Sequence, residues 1–309
     1  MGPTAKKRQR DIQTIEMFEL PDTKGALVKL DTTFKSLHSP VWSENKAKLI
    51  QNYVRYFILI TRHGTYIDAF AGPQVEVYND QSWSAKMVLE IRPAWLRRFI
   101  LCELSPAQVT HLSRLVEDRR KAGDKRAIEL HSGDSNTALP AALAAIPIKP
   151  REATFCLLDQ RTFECDWATV RGVASHKSEG NKIELFYFLP VGWLHRSISG
   201  LKDDSRLARW WGRDDVSPLH KARNVHDMAK LFTDRFEQEL GYASVRGWPI
   251  LERSSGGRIM YYMIHAADHP EAPKLMYRAY KNATGAMEPM EHLQAEFEAQ
   301  GFDRSAMEK

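Results

Sequence analysis

Five short apolar stretches, each followed by a stretch of helical character, constrain this chain of 309 residues more than any other feature. They are TYIDAF, RRFILCELS, AIELHSGDS, EATFCLLDQ and IELFYFLP. The runs FILC, FCLL and LFYFL within them are nearly unbroken, as expected of strands covered on both faces. Strand and helix in alternation predict an α/β fold with a mostly parallel sheet.

The remaining elements follow from spacing and turn chemistry. WSENKAKLIQNYVRYFILITRHG reads as a helix, with Ser43 as N-cap and Leu49, Tyr53, Tyr56 and Phe57 at helical spacing. A helix is expected over about 83–91, and another, AQVTHLSRLVEDRRKAG, is opened by Pro106. ALPAALAAI and DWATVRGVASHK are the next two helices. A Trp-rich helical insertion is predicted at about 193–240. WPILERSSGGRIMYYMIHAA then reads as a hairpin about a Ser-Ser-Gly-Gly turn, and PKLMYRAYKNATG as a last helix ended by Gly285. The chain divides into a tail and lead-in segment at 1–35, an α/β domain at 36–285 and a C-terminal tail at 286–309.

Composition narrows the setting. With 43% hydrophobic residues the chain can bury a full core. No apolar run reaches membrane-spanning length. MGPTAKKRQR has no apolar segment after its charges and does not read as a secretory signal. Cys102, Cys156 and Cys165 are odd in number and form no CxxC pair. That pattern points to a reduced, cytoplasmic protein without a thiolate zinc site. The net charge of +5 allows an anionic partner without demanding one.

In open α/β sheets, ligands sit beyond the carboxyl ends of the strands. Four consecutive predicted strands end in an acid there: Asp68, Glu103, Asp134 and Asp159. Asp and Ser at such places most often cap the next helix. Glu103 is the exception, because Ser105-Pro106 opens the helix that follows it. A carboxylate at the end of the second strand suits a ribose diol, accepting from both hydroxyls. The chain has no GxGxxG, so a dinucleotide is disfavoured. A nucleoside cofactor without phosphates fits better, namely S-adenosyl-L-methionine (SAM). The expected binding residues are Asp68, the Phe70-Ala71-Gly72-Pro73 turn, Glu103, and Asp134 with Ser135. The terminal hairpin, which places a last strand antiparallel beside the fifth, distinguishes a class I methyltransferase-like (Rossmann-like) sheet from a dinucleotide fold.

VWSENKAKLIQNYVRYF, YIDAFAGP, FILCELSP and GRIMYYMIHAADHPEAPKLMYRAYKNA together resemble the three-Cys-motif partner protein family, TcmP. The resemblance covers most of the chain after about residue 36. It implies a class I SAM-dependent methyltransferase-like fold with helices on both faces, a SAM pocket, and a radical SAM-like three-Cys-motif partner protein. The name refers to cysteines of that partner. Two positions depart from the family pattern. Gln74 stands where FAGPG is usual, and only Gly enters positive φ freely. Asp159-Gln160 replaces an Asp-Pro pair that, by the resemblance, orients an acceptor amine. Asp159 and Gln160 are therefore the candidate catalytic residues, and a fold retained without catalysis is the alternative.

Three further patterns carry less. His265 and His269 have metal-like spacing but no shared helical face and no third ligand. No GxSxG elbow marks a hydrolase. RLARWWGR with RRKAGDKR offers a basic-aromatic nucleic-acid surface, although a solvated face over core tryptophans is the commoner outcome. The basic tail, Lys6 to Arg10, is a second candidate for nucleic-acid contact.

Overall fold

The computed structural model describes residues 16–17, 28–29, 41–73, 82–253 and 256–283. A short antiparallel pair, β1 (Glu16–Met17) and β2 (Val28–Lys29), stands apart from the main sheet. The main sheet has seven strands: β3 (Thr65–Asp68), β4 (Arg98–Glu103), β5 (Ala127–Ser132), β6 (Thr154–Leu158), β7 (Glu184–Leu189), β8 (Ser244–Arg253) and β9 (Gly256–Ala267). Their order is β5-β4-β3-β6-β7-β9-β8. The first five in that order run parallel, whereas β9 pairs antiparallel with both β7 and β8. This is the expected class I methyltransferase-like sheet, with the last strand inserted beside the fifth. The order reverses between β3 and β6, which makes their carboxyl ends the switch point.

The apolar runs are continuous because the sheet feeds two cores. Leu185, Tyr187 and Leu189 of β7 pack on one face, and Phe186 and Phe188 on the other. The same alternation divides Ile100 and Cys102 from Phe99 and Leu101 in β4, and Cys156 and Leu158 from Phe155 and Leu157 in β6. Each face therefore reads with period two although the strand as a whole is apolar. Helices α1 (Val41–Thr61), α2 (Ser84–Leu89), α3 (Pro106–Lys121) and α10 (Ala272–Asn282) cover the face of Phe186. On the face of Tyr187 lie α4 (Ser135–Ala145), α5 (Trp167–Ala174) and the insertion.

The insertion comprises α6 (Val191–Ser199), α7 (Ser205–Trp211), α8 (Ser217–Lys221) and α9 (Val225–Gln238). Trp210 and Trp211 are buried and meet Phe232 of α9 at ring-centroid distances of 4.7 and 5.3 Å. Gly212 ends α7 at φ +74°, and a Cβ there would stand 2.5 Å from Trp167 Cβ. Only Gly satisfies both the conformation and the space.

Several local expectations shift. α1 begins at Val41, so Ser43 lies inside the first turn instead of capping it. The hairpin is present, but residues 254–255 of its turn are outside the described set, as are Gln74, Gly285 and the Lys6 to Arg10 tail. Among the described residues, no helix is long and apolar enough to cross a membrane. The three cysteines are free and buried, and burial pushes the Cys102 thiol up to about 12.

Candidate functional site

A cavity of about 980 Å³ opens at the carboxyl ends of β3, β4, β5 and β6. Of the residues expected there, Phe70, Gly72, Pro73, Glu103, Asp134, Ser135 and Asp159 line it. Asp68, Ala71 and Gln160 do not, and each is held by the protein itself.

Asp68 ends β3 with its carboxylate turned inward. Oδ1 accepts from the Phe70 amide at 3.0 Å and Oδ2 from the Tyr66 hydroxyl at 3.0 Å. Burial is the main cause that raises this carboxyl from its ordinary value to about 7, and nearby Asp159 and Glu103 push it the same way. Ala71 is tied down at both ends of its peptide: its amide donates to Cys102 O at 2.9 Å, and its carbonyl accepts from Trp83 Nε1 at 2.7 Å. Together they brace the turn that follows β3.

Glu103 ends β4 and stitches that turn to the next loop. Its Oε2 accepts from the Gly72 amide and its Oε1 from the Ser105 amide, both at 2.9 Å. Each oxygen keeps a second lone pair. A Cβ at Gly72 would stand 2.5 Å from Glu103 Oε2 and 2.6 Å from Gln108 Cβ, so the backbone approaches as closely as Gly permits. Beside Glu103 the cavity is lined by Leu104, 65% exposed, and by Gln108, whose buried Oε1 has no hydrogen-bond partner among the described residues. Neither residue is among those expected from the sequence. A large apolar side chain following a strand-end acid was the available signal for Leu104.

Asp134 caps α4 through Oδ1, which accepts from the Asn136 amide at 2.9 Å and from Asn136 Nδ2 at 3.0 Å. The common capping role thus applies here, while Oδ2 has no partner among the described residues.

Asp159 is buried at the end of β6, and its Oδ1 accepts from Lys46 Nζ at 2.5 Å. Lys46 comes from α1, is also buried, and lies 4.8 and 4.3 Å from the ring centroids of Phe188 and Tyr261. The cap of α5 is Asp166, so capping does not explain Asp159. Gln160 is fully buried. Its Oε1 accepts from the Cys165 amide and Trp210 Nε1, both at 3.1 Å, and its Nε2 donates to Phe188 O at 3.4 Å. It bolts the loop after β6 to the insertion.

Arg161, Arg206 and Arg209 also line the cavity. Arg209 Nε lies 3.7 Å from Asp166 Oδ2. The Asp166 carboxyl is raised chiefly by burial, against the opposing pull of Arg209. The cavity is thus acidic where β4 and β5 end, at Glu103 and Asp134, and mixed where Arg206 and Arg209 of α7 line it with Asp166.

Elsewhere, His265 Nε2 pairs with Glu184 Oε1 at 2.6 Å, and Tyr53 also donates to that oxygen. His269 Nδ1 instead accepts from the Glu271 amide at 3.2 Å. No cluster of three metal-ligating side chains occurs among the described residues.

No protein-family model matches this chain, and neither does any curated protein. Among solved structures it is similar to small RNA methyltransferase HEN1 at 12% identity and a TM-score of 0.41, over 70% of this chain and 25% of that one. The chain therefore spans about a quarter of the length of that structure. A putative O-methyltransferase from Klebsiella pneumoniae matches at 11% identity and a TM-score of 0.41, over 71% and 80% of the two chains. TYW2 of P. horikoshii, solved in complex with MeSAdo, matches at 14% identity and a TM-score of 0.34, over 79% and 67%. The strand order, independently of these likenesses, defines the fold of this protein as a mostly parallel sheet of class I methyltransferase-like type.

Proposed function

We propose that the protein binds SAM in the cavity at the β3/β6 switch point and belongs, functionally, with the SAM-dependent methyltransferases. The observation that carries this reading is the junction of Glu103 with the Gly72 turn. A strand-end carboxylate with lone pairs to spare sits against a backbone that no side chain separates from it. The residues fit a nucleoside. Glu103 accepts from ribose hydroxyls, Leu104 offers an apolar face to a flat base, and the orphaned Gln108 Oε1 and the open Asp134 Oδ2 are acceptors for N–H or O–H donors. Asp68 supports the turn from beneath. Arg161, Arg206 and Arg209 hold the acceptor side.

When bound, SAM supplies a sulfonium methyl open to in-line displacement. The chain contributes orientation of the acceptor and exclusion of water. Asp159 lies in the cavity wall and is the group for an acceptor amine, held in place by Lys46. The acceptor class is nucleic acid, and the protein acts with a three-Cys-motif partner. The net charge of +5 and the TcmP resemblance support that part.

A second reading is a non-catalytic module that keeps the fold and recruits a partner. It is favoured by one observation: both residues expected to be catalytic are engaged internally, Asp159 with Lys46 and Gln160 with Cys165, Trp210 and Phe188. Calorimetry with SAM, followed by a methyl-transfer screen of nucleic-acid and protein acceptors, separates the readings. Binding with turnover supports the first, binding without turnover the second, and no binding removes SAM altogether.

A further inference from the structure

The acids at the carboxyl ends of the strands have a counterpart at the amino ends. In sheet order, Lys125 precedes β5, Arg97 precedes β4, Arg62 precedes β3, Arg151 precedes β6 and Lys182 precedes β7. Neighbouring strands lie about 4.8 Å apart, so these positions form a row of cations along one end of the sheet.

The β5/β4 end of the row is a shallow concavity of about 510 Å³. Five cations line it, Arg92, Arg97, Arg119, Lys125 and Arg126, against one acid, Asp124. That acid is already matched. Its Oδ2 accepts from Arg119 Nη2 at 3.1 Å and Arg126 Nη2 at 2.6 Å, and its Oδ1 accepts from Arg126 Nε at 2.8 Å. These arginines hold its carboxyl well below the usual range. Arg92, Arg97 and Lys125 are exposed, and none has a carboxylate partner among the described residues.

We propose that this amino-end concavity is a binding surface for the phosphate backbone of nucleic acid, with Arg92, Arg97 and Lys125 as the contacting residues. Arg119 and Arg126 are fixed by Asp124 and shape the floor. The lining carries no aromatic side chain on which a base could stack, and its exposed groups are cations suited to phosphate oxygens. A lipid surface is disfavoured because the one exposed large hydrophobic residue among those described, Leu104, is at the carboxyl end of β4, the opposite end of the sheet. RRKAGDKR therefore contributes to this surface, while Arg206 and Arg209 of RLARWWGR line the other cavity. The two basic segments do not form one surface.

The test is independent of SAM and of turnover. Binding of a labelled single-stranded RNA oligonucleotide to the full chain is measured by fluorescence anisotropy across a salt series, with Arg92→Glu/Arg97→Glu/Lys125→Glu beside the wild type. The wild type is expected to bind at low salt. The triple variant should bind at least about tenfold more weakly, and its slope of log K against log salt should be shallower by about two, since each lost contact removes about 0.7. A thermal melt confirms folding. Should the charge reversal unfold the chain, the triple glutamine variant takes its place with the same expectation. Absence of wild-type binding at low salt overturns the proposal, as does equal affinity of a folded variant. So does retention on phosphatidylserine vesicles, lost in the variant, with no oligonucleotide binding.

Discussion

Lys46 Nζ and Asp159 Oδ1 lie 2.5 Å apart, both buried, although 113 residues separate them in the chain. The pair pins α1 to the carboxyl end of β6, in the wall of the cavity. Its ammonium is further sandwiched near Phe188 and Tyr261.

Removing Lys46 takes the ammonium away from a buried carboxylate. Lys46→Met should therefore cost about 3–5 kcal/mol, whereas Lys46→Met with Asp159→Leu should recover most of that loss. Denaturant unfolding of the two variants measures the difference. Equal destabilisation of single and double variants would show that packing of α1, and not the charge, is what matters.

Gln160 should behave as a structural residue. In Gln160→Ala the Cys165 amide and the Trp210 indole N–H lose their acceptor while still buried. Each orphaned donor costs about 1–3 kcal/mol. Thermal unfolding should drop by several degrees, with SAM affinity unchanged. A stable variant that loses turnover alone would return Gln160 to the chemistry.

Asp68 should make stability fall as pH rises. Its folded pKa of about 7 lies above the ordinary 3.8, so between those values the native state holds a proton that the unfolded chain has released. The stabilisation is complete below pH 4 and lost as pH climbs through 7, with a magnitude on the order of 4 kcal/mol. Asp68→Asn keeps an acceptor for the Phe70 amide and cannot ionise. The stability of this variant relative to wild type should rise from pH 5 to pH 8. A constant difference across that range would mean that the group ionises normally.

Glu103 and Gln108 separate binding from bracing. Glu103→Ala removes the acceptor of two backbone amides as well as the proposed ribose ligand, so it should weaken SAM binding about tenfold or more and also lower the melting temperature. Gln108→Ala should weaken SAM with little change in melting, because its Oε1 has no internal partner to lose. Calorimetry and a thermal melt on each variant give both readouts. Unchanged SAM affinity in a folded Glu103→Ala protein rules Glu103 out as the ribose ligand.

What this sequence determined by itself is local. Runs such as FILC and LFYFL specify strands because both faces of a central parallel strand are buried, and the place where each run stops fixes which residue stands at its carboxyl end. Asp68, Glu103, Asp134 and Asp159 were legible for that reason, and so was the hairpin that puts β9 beside β7. Their partners were not legible, because a side chain's direction depends on what packs against it. Asp68 and Glu103 both end strands, yet the first turns into the core to meet Tyr66 while the second faces the cavity. Lys46 carries no local mark that separates it from Lys48; only the packing of α1 on the sheet brings its ammonium to Asp159. The same holds for Gln160, whose role follows from the insertion folding back so that Trp210 reaches it. Tertiary structure also divided the two basic segments between opposite ends of the sheet, since charge alone drives no segment to a particular end, whereas the burial of Trp210 and Trp211 does.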